Sequence, residues 1–387
     1  NLFTYDNTDD GLGWWTRVVH HVDGGYFGYP FDYHDRTDKL LPFMADYGGG
    51  SPCGGVVYEE DAWPEEYRGR AFWSEWGKRS VRAFRFKPKG ASFEIADVVD
   101  FVQPGDVENF RPLDLALSHD GETMYVADWS MGGWGEKKEN LGRIYAVTCV
   151  GPPVARKPRG ADSDPTPALI ASLDHPARAE RLRAQRELIS RGEAALADAT
   201  KALADAATPE LARRHLVWTV AGIASRSPQG AAPLTAALKD PSADVRAQAA
   251  RAIGLEFGPF DLDALAALLA DPESAVKLQA LISLGRIGGP SVVESIIPIV
   301  ADPDVYLAFS ARKALGRIGA WDEAAAGLKA ADPKVREGVL LAMEGAYSKG
   351  AVKALAEFAA GAGEPAERAV AVAKLAAVAR QAPPWDG

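Results

Sequence analysis

The sequence predicts a multidomain β-plus-α chain. A partial β-propeller of a little over two blades occupies residues 1–150, a Pro-rich linker residues 151–166, and an α-solenoid residues 167–387. Three observations predict it. Residues 1–150 hold seven of the ten Trp and nine of the eleven Tyr, whereas the chain from about residue 167 onward is rich in Ala and Leu. The stretch from Val150 to Pro165 is dense in Pro and Gly, which deny backbone donors and loosen the chain, so two folds join there. Beyond it, a helical pattern returns at a near-constant interval.

The first part consists of strand-like runs bounded by turns. They are Phe3–Asn7, Arg17–Val19, Gly54–Tyr58, Ala71–Ser74, Val81–Phe86, Phe93–Val99, Leu113–Leu117, Met124–Ala127 and Arg143–Val147. In Val81–Phe86, Arg82 and Arg85 interleave with apolar residues, as a half-buried strand requires. Stacking the runs shows a repeat of strand, acidic residue, loop and strand at Tyr5-Asp6, Ser74-Glu75 and Ala127-Asp128. Its long period suits four-stranded propeller blades with loop insertions: one complete over 52–100, three strands of the next over 113–148, and the tail of another over 1–30. A closed ring needs at least four blades. With no Met and no leader at Asn1, the chain reads as a piece of a longer protein.

The second part is set by its repeat. Asp240-Pro241, Asp271-Pro272, Asp302-Pro303 and Asp332-Pro333 start successive, evenly spaced units, with weaker starts at Asp174, Thr208 and Glu364. Asp caps a helix N-terminus and Pro tolerates the first turn. Val276, Ala280 and Leu284 then form one buried stripe, and the Gly that follows (Gly254, Gly285, Gly316) stops the helix. A second helix follows, as at Asp261–Leu269 or Ser291–Val300. One helix pair cannot bury both its faces, so pairs stack. The pattern resembles HEAT repeats, about seven units over 167–387. Such arrays are mostly binding surfaces or spacers, and Arg246 reads as a structural pairing residue.

Composition narrows the function. Hydrophobic residues make up 47% and charged residues 25%, globular values that exclude a disordered chain. A net charge of −10 argues against nucleic acid as a partner, and no run of 18 apolar residues is present to span a membrane. Cys53 and Cys149 are too few for a disulfide framework or a four-sulfur zinc site.

Four ordered motifs over residues 1–148 resemble sugar dehydrogenases that use pyrroloquinoline quinone (PQQ), and joined to HEAT repeats they resemble the large membrane-bound dehydrogenases of planctomycete-type bacteria. The motifs are Gly24-Gly25-Tyr26-Phe27-Gly28-Tyr29-Pro30, Ser51-Pro52-Cys53-Gly54, Trp63-Pro64 through Phe72, and Arg111-Pro112-Leu113-Asp114 with Asp120-Gly121 through Asp128. The resemblance implies a quinoprotein-type oxidoreductase acting on a sugar or other alcohol in the periplasm or cell envelope, with a cytochrome as a possible electron acceptor. It places Lys78 and Arg111 on the tricarboxylate cofactor and a calcium ion on Asp6, Asn7, Asp9 and Asp10. The second cofactor Arg falls at Leu113, and the family's His-Gly-Pro by the calcium loop is absent. The family's catalytic His belongs to an earlier blade, so no catalytic residue is assigned here, and His20 and His21 read as strand residues. Trp76 and Trp129 can stack on a sugar ring or pack the rim; the Asx-rich loop can equally make turns through its own side chains. The competing reading is a non-catalytic module that binds a glycan on the sheets or a protein partner on the solenoid. An NHL-type propeller fits the glycine motifs poorly.

Overall fold

The computed structural model describes residues 1–7, 15–28, 40–107, 109–129, 142–225, 231–255, 261–361 and 364–380. It divides into two compact units, Asn1–Val22 with Tyr26–Leu188, and Asp23–Gly25 with Ile189–Gly387.

The first unit contains ten described strands in three antiparallel sheets. β1 (Leu2–Asn7), β2 (Thr16–His21) and β3 (Ala45–Asp46) make one; β4 (Pro52–Tyr58), β5 (Arg70–Glu75), β6 (Ser80–Lys89) and β7 (Ser92–Val102) the second; β8 (Pro112–Leu117), β9 (Thr123–Asp128) and β10 (Arg143–Thr148) the third. In each, consecutive strands are neighbours. Every strand expected from alternation is present within a few residues of its expected ends.

The middle sheet is covered on both faces. Tyr58, Phe72, Val81 and Ala83 pack against Leu115, Met124 and Val126 of the third sheet. Ala71, Trp73 and Phe84 pack against Tyr5 and Val18 of the first. Burial on both sides explains why Ala71-Phe72-Trp73 is a continuous apolar run. The Tyr58 hydroxyl donates to the Gly121 carbonyl (3.0 Å) and accepts from the Trp63 N–H (2.8 Å), so the turn before β9 is tied to β4. With these partners burial still pushes the phenol up to about 12.

The propeller expectation is corrected here. The described sheets are small and open, with four, three and three strands, and they form no closed ring. Alternation states which side chain faces a core, but not how successive sheets are arranged about an axis, and three sheets are fewer than any ring requires.

After β10, residues 151–165 contain neither helix nor strand. Two arginines fix them to the sheets: Arg156 pairs with Asp61 (3.2 Å) and Glu122 (2.7 Å), and Arg159 donates to the His119 carbonyl (3.1 Å). Helices α1 (Thr166–Ser172) and α2 (Arg178–Arg191) follow.

The second unit is an α-solenoid of HEAT-like repeats. Its helices are α3 (Glu193–Ala204), α4 (Glu210–Ala224), α5 (Ala231–Ala237), α6 (Ala243–Ile253), α7 (Leu262–Ala267), α8 (Ser274–Ile287), α9 (Val293–Ile296), α10 (Val305–Ile318), α11 (Trp321–Ala324), α12 (Pro333–Glu344), α13 (Lys349–Gly361) and α14 (Pro365–Arg380). The even-numbered helices α6, α8, α10, α12 and α14 each pack on the even-numbered one before, α6 on α4, and the odd-numbered helices form the other layer. The odd layer is interrupted where Pro298 follows α9 and the chain tightens into a 3-10 turn over Ile297–Ala301.

Two sequence rules are refined. The repeat Asp accepts the backbone N–H two residues on: Asp240 from Ser242 (2.7 Å), Asp271 from Glu273 (2.9 Å), Asp302 from Asp304 (2.8 Å) and Asp332 from Lys334 (2.8 Å). Only Asp332 is itself the cap of its helix; Ser242 and Asp304 cap α6 and α10. The Gly after the stripe stops the helix only at Gly254. α8 runs on to Ile287 and α10 to Ile318, where Gly319 adopts the left-handed conformation (φ 69°). Gly285 instead admits a close approach, since a Cβ there would lie 3.0 Å from the Ala314 Cα of α10.

Candidate functional site

Sequence reasoning placed its site on the loops of the first unit, and the structure brings part of it together at the turn from β5 to β6. The organiser of this turn is Glu75, the acidic residue of the strand–loop–strand repeat, which sequence reasoning gave no role in the site. Its fully buried carboxylate accepts the N–H groups of Ser51 (2.6 Å), Gly77 (3.1 Å) and Lys78 (3.1 Å). Lys78 donates its ammonium to the Tyr47 carbonyl (2.6 Å), and burial pulls it below the usual lysine range despite the Glu75 charge. The Arg111 guanidinium lies 4.7 Å from the Trp76 ring centre and donates to the Trp76 (3.2 Å) and Gly77 (3.4 Å) carbonyls. Burial and the nearby Arg79 depress it. The Arg111 N–H donates to Asp128 (2.7 Å), and the Trp129 N–H to the Arg111 carbonyl (2.9 Å).

Lys78, Trp76 and Arg111 therefore share one turn and Trp129 adjoins it, with both cations bonded to backbone carbonyls. Asp6 of the proposed calcium set is part-buried, and burial raises its carboxyl despite the Thr4 hydrogen bond and the neighbouring His21. Asp9 and Asp10 lie outside the described residues, as does the Asn7 side chain. Among the described residues no group of three His, Cys, Asp or Glu is arranged to hold a metal. Both cysteines are free thiols. His20 is buried beside Ser92 (3.1 Å) and among Phe3 and Phe93, and burial lowers it to about 4.

The second unit carries a different surface, built on an ion-pair ladder. Arg213 of α4 pairs with Asp240 through two bonds (3.0 and 3.2 Å), and Arg246 of α6 with Asp271 through two more (2.7 and 2.9 Å). Arg246 also donates to the Asp240 (2.9 Å) and Pro241 (3.1 Å) carbonyls, so one guanidinium joins two successive repeats. This matches the structural role expected of Arg246. Outside the ladder, α4 and α6 carry a set of polar and aromatic contacts. Arg214 pairs with Asp244 (2.7 Å), Trp218 donates to Gln248 (2.9 Å), and the Arg251 guanidinium sits 6.0 Å from the Trp218 ring centre. Farther along, Arg286 of α8 and Arg317 of α10 stand at equivalent places in adjacent repeats, and both hold Asp23. The repeat period contained this alignment, but the Arg286–Arg317 pair became visible only with the helices in register.

Family comparison locates two matches. Residues 44–132 match a domain of unknown function, DUF7133, and residues 262–331 match HEAT repeats. The first falls on three of the four stretches that carried the resemblance to PQQ-dependent sugar dehydrogenases. With the open sheets, this overturns the reading of the chain as a quinoprotein oxidoreductase built on a sugar-dehydrogenase propeller. No curated protein matches the chain.

Among solved structures, the complex of CpcE and CpcF of phycocyanin lyase from Nostoc sp. PCC7120 is 16% identical, covering 58% of this chain and 99% of that one, with a TM-score of 0.32. The HEAT-like repeats protein from the archaeon Thermococcus onnurineus NA1 is 15% identical over 56% of this chain and 97% of its own, TM-score 0.33. A designed armadillo repeat protein in complex with the peptide (KR)4 is 22% identical over 56% and 100%, TM-score 0.25. No helix among the described residues is long and apolar enough to cross a membrane. By its stacked helix pairs, its Asp–Arg ladder and the match over 262–331, the helical unit is a HEAT-type repeat array.

Proposed function

We propose that the chain is a binding module whose helical unit holds a protein partner along the exposed side of α4, α6, α8 and α10. The observation that carries this reading is the division of labour on those helices. Buried Arg–Asp pairs lock successive repeats together, leaving Trp218, Gln248, Arg251, Gln279 and Lys313 on an outer side that the ladder does not use. A repeat array gains one such row per unit, so a contact surface extends along the stack without a deep cavity. Trp218 and Arg251 on this side suit recognition, since Trp and Arg dominate the energetics of protein interfaces.

The test is site-specific photo-cross-linking. The full chain carries p-benzoylphenylalanine at Gln279 on α8 or, as a control, at exposed Lys353 on α13. The proposal expects a discrete protein adduct from position 279 and none from position 353. Adducts from neither position, or equal adducts from both, refute it.

A further inference from the structure

The helical unit carries a cluster of four cations on two adjacent helices, Arg286 on α8 and Arg312, Lys313 and Arg317 on α10, in a chain whose net charge is −10. The close approach of Gly285 to Ala314 brings the two helices together at that point. Two of the cations already hold a carboxylate. Asp23, which with Gly24 and Gly25 belongs to this unit, accepts from Arg317 (2.6 and 3.1 Å) and Arg286 (3.0 Å). Hydrogen bonds from Arg317 hold its carboxyl well below the usual range. Gly24 follows with its backbone against the same side chains: a Cβ there would lie 3.4 Å from Arg317 Nη2 and 4.0 Å from Lys313 Cδ.

The other two cations hold none. Arg312 and Lys313 make no ion pair among the described residues; Lys313 lies over the Phe309 ring at 5.5 Å, and only Glu337 acts on Arg312 from a distance. Burial first, and then the like charges of Arg317 and Arg312, hold Lys313 below the usual lysine range. Two lysine or arginine groups left in this state are stabilised by any ligand that brings carboxylates.

We propose that this α8–α10 face receives an acidic segment of a protein partner, its side-chain carboxylates taken by Arg312 and Lys313 beside the Arg286–Arg317 clamp. The inference rests on the binding-module reading above and names the chemistry of the partner. Asp23-Gly24-Gly25 marks the kind of chain that fits: a carboxylate for two guanidinia, then glycines that let the backbone lie flat on the Lys313 stem. Because Asp23 occupies the clamp, it competes with the incoming segment for Arg286 and Arg317.

The experiment is fluorescence anisotropy with the full chain and three labelled probes: octaglutamate, octalysine and an oligo(dT) octamer. The proposal expects octaglutamate to bind in preference to both others. Arg312→Gln/Lys313→Gln should weaken it about tenfold or more, the size of one or two charge-assisted hydrogen bonds. Lys313→Glu, at an exposed position, should do the same with the helical circular dichroism unchanged, which guards against a folding defect in the double variant. Asp23→Ala should tighten octaglutamate several-fold. Octaglutamate binding equal in wild type and both variants overturns the proposal, as does tighter binding of oligo(dT), which would make the face a phosphate-backbone site. If octaglutamate fails while position 279 still cross-links a protein, the acidic-segment inference falls and the binding-module reading stands; if both fail, both fall.

Discussion

Arg246→Met tests whether the ladder holds the repeats together. The substitution keeps most of the side-chain length and removes the charge. In the native chain Arg246 and Asp271 are 13% and 6% exposed and bonded twice, and Arg246 adds two carbonyl contacts. Removing the guanidinium leaves Asp271 buried with the Glu273 N–H as its remaining bond. Breaking a buried pair from one side costs about 3–5 kcal/mol. Arg214–Asp244 is an internal control of the same 2.7 Å length but 35% and 59% exposed, so Arg214→Met should cost about 0–1 kcal/mol. Urea titration of the full chain, followed by helical circular dichroism, should show an early loss of helix for Arg246→Met and little change for Arg214→Met. The double variant Arg246→Met/Asp271→Leu should recover much of the loss, because the orphaned carboxylate is gone. The pH dependence follows. Burial pushes Asp271 up, but the Arg246 bonds and the Glu273 N–H outweigh it and hold the carboxyl low. Its contribution is therefore present above the ordinary carboxylate range near pH 4 and lost as pH falls through the lower folded value. In Arg246→Met only the Glu273 N–H and the Lys277 charge oppose burial, and this acid limb should shift to higher pH. Equal urea shifts for Arg246→Met and Arg214→Met would refute the ladder.

Three further outcomes are expected. Leu284 is fully buried in α8, so Leu284→Asp should lower the melting temperature sharply, whereas Arg286→Ala at the exposed end of that helix should leave it nearly unchanged. At Gly254 a Cβ would meet Ser283 Oγ at 2.2 Å and Ser283 Cα at 2.8 Å, so Gly254→Ala should destabilise by about 1–3 kcal/mol; Gly316→Ala, where nothing lies within 4 Å, should be neutral or stabilising in denaturant titrations. His20 is held neutral by burial, with a folded value of about 4, below its ordinary range. The sheet unit should accordingly be fully stable above about pH 6.5 and lose up to about 3 kcal/mol as pH falls towards 4, a slope that His20→Gln should flatten in tryptophan-fluorescence melts.

How much of this was legible in the sequence depends on the kind of information each feature needs. Strand positions such as Val81–Phe86 were legible because period-two alternation is local. The arrangement of the sheets was not, because Ala71 and Phe72 face different neighbouring sheets and nothing in a single strand says how many sheets follow or whether they close. The helical repeat was legible because successive units restate the same Asp-Pro start and apolar stripe. Gly254 was read correctly as a helix stop, but Gly285 serves a contact with Ala314 on the next helix and not the end of its own. At the candidate sites, Lys78 and Arg111 both adjoin the β5–β6 turn, but the role of Glu75, which shapes that turn through three backbone donors, was not legible from its place in the repeat. Arg286 on α8 is a whole repeat away in sequence from the cations of α10, a separation that only the register of the stack removes.

Hydrogen exchange on the full chain, with and without the protein recovered by cross-linking at position 279, tests the binding-module account most directly. The account predicts added protection along α4, α6, α8 and α10, with exchange at the β5–β6 turn around Lys78 and Arg111 unchanged. Protection confined to that turn, with the even-numbered helices unaffected, would contradict it.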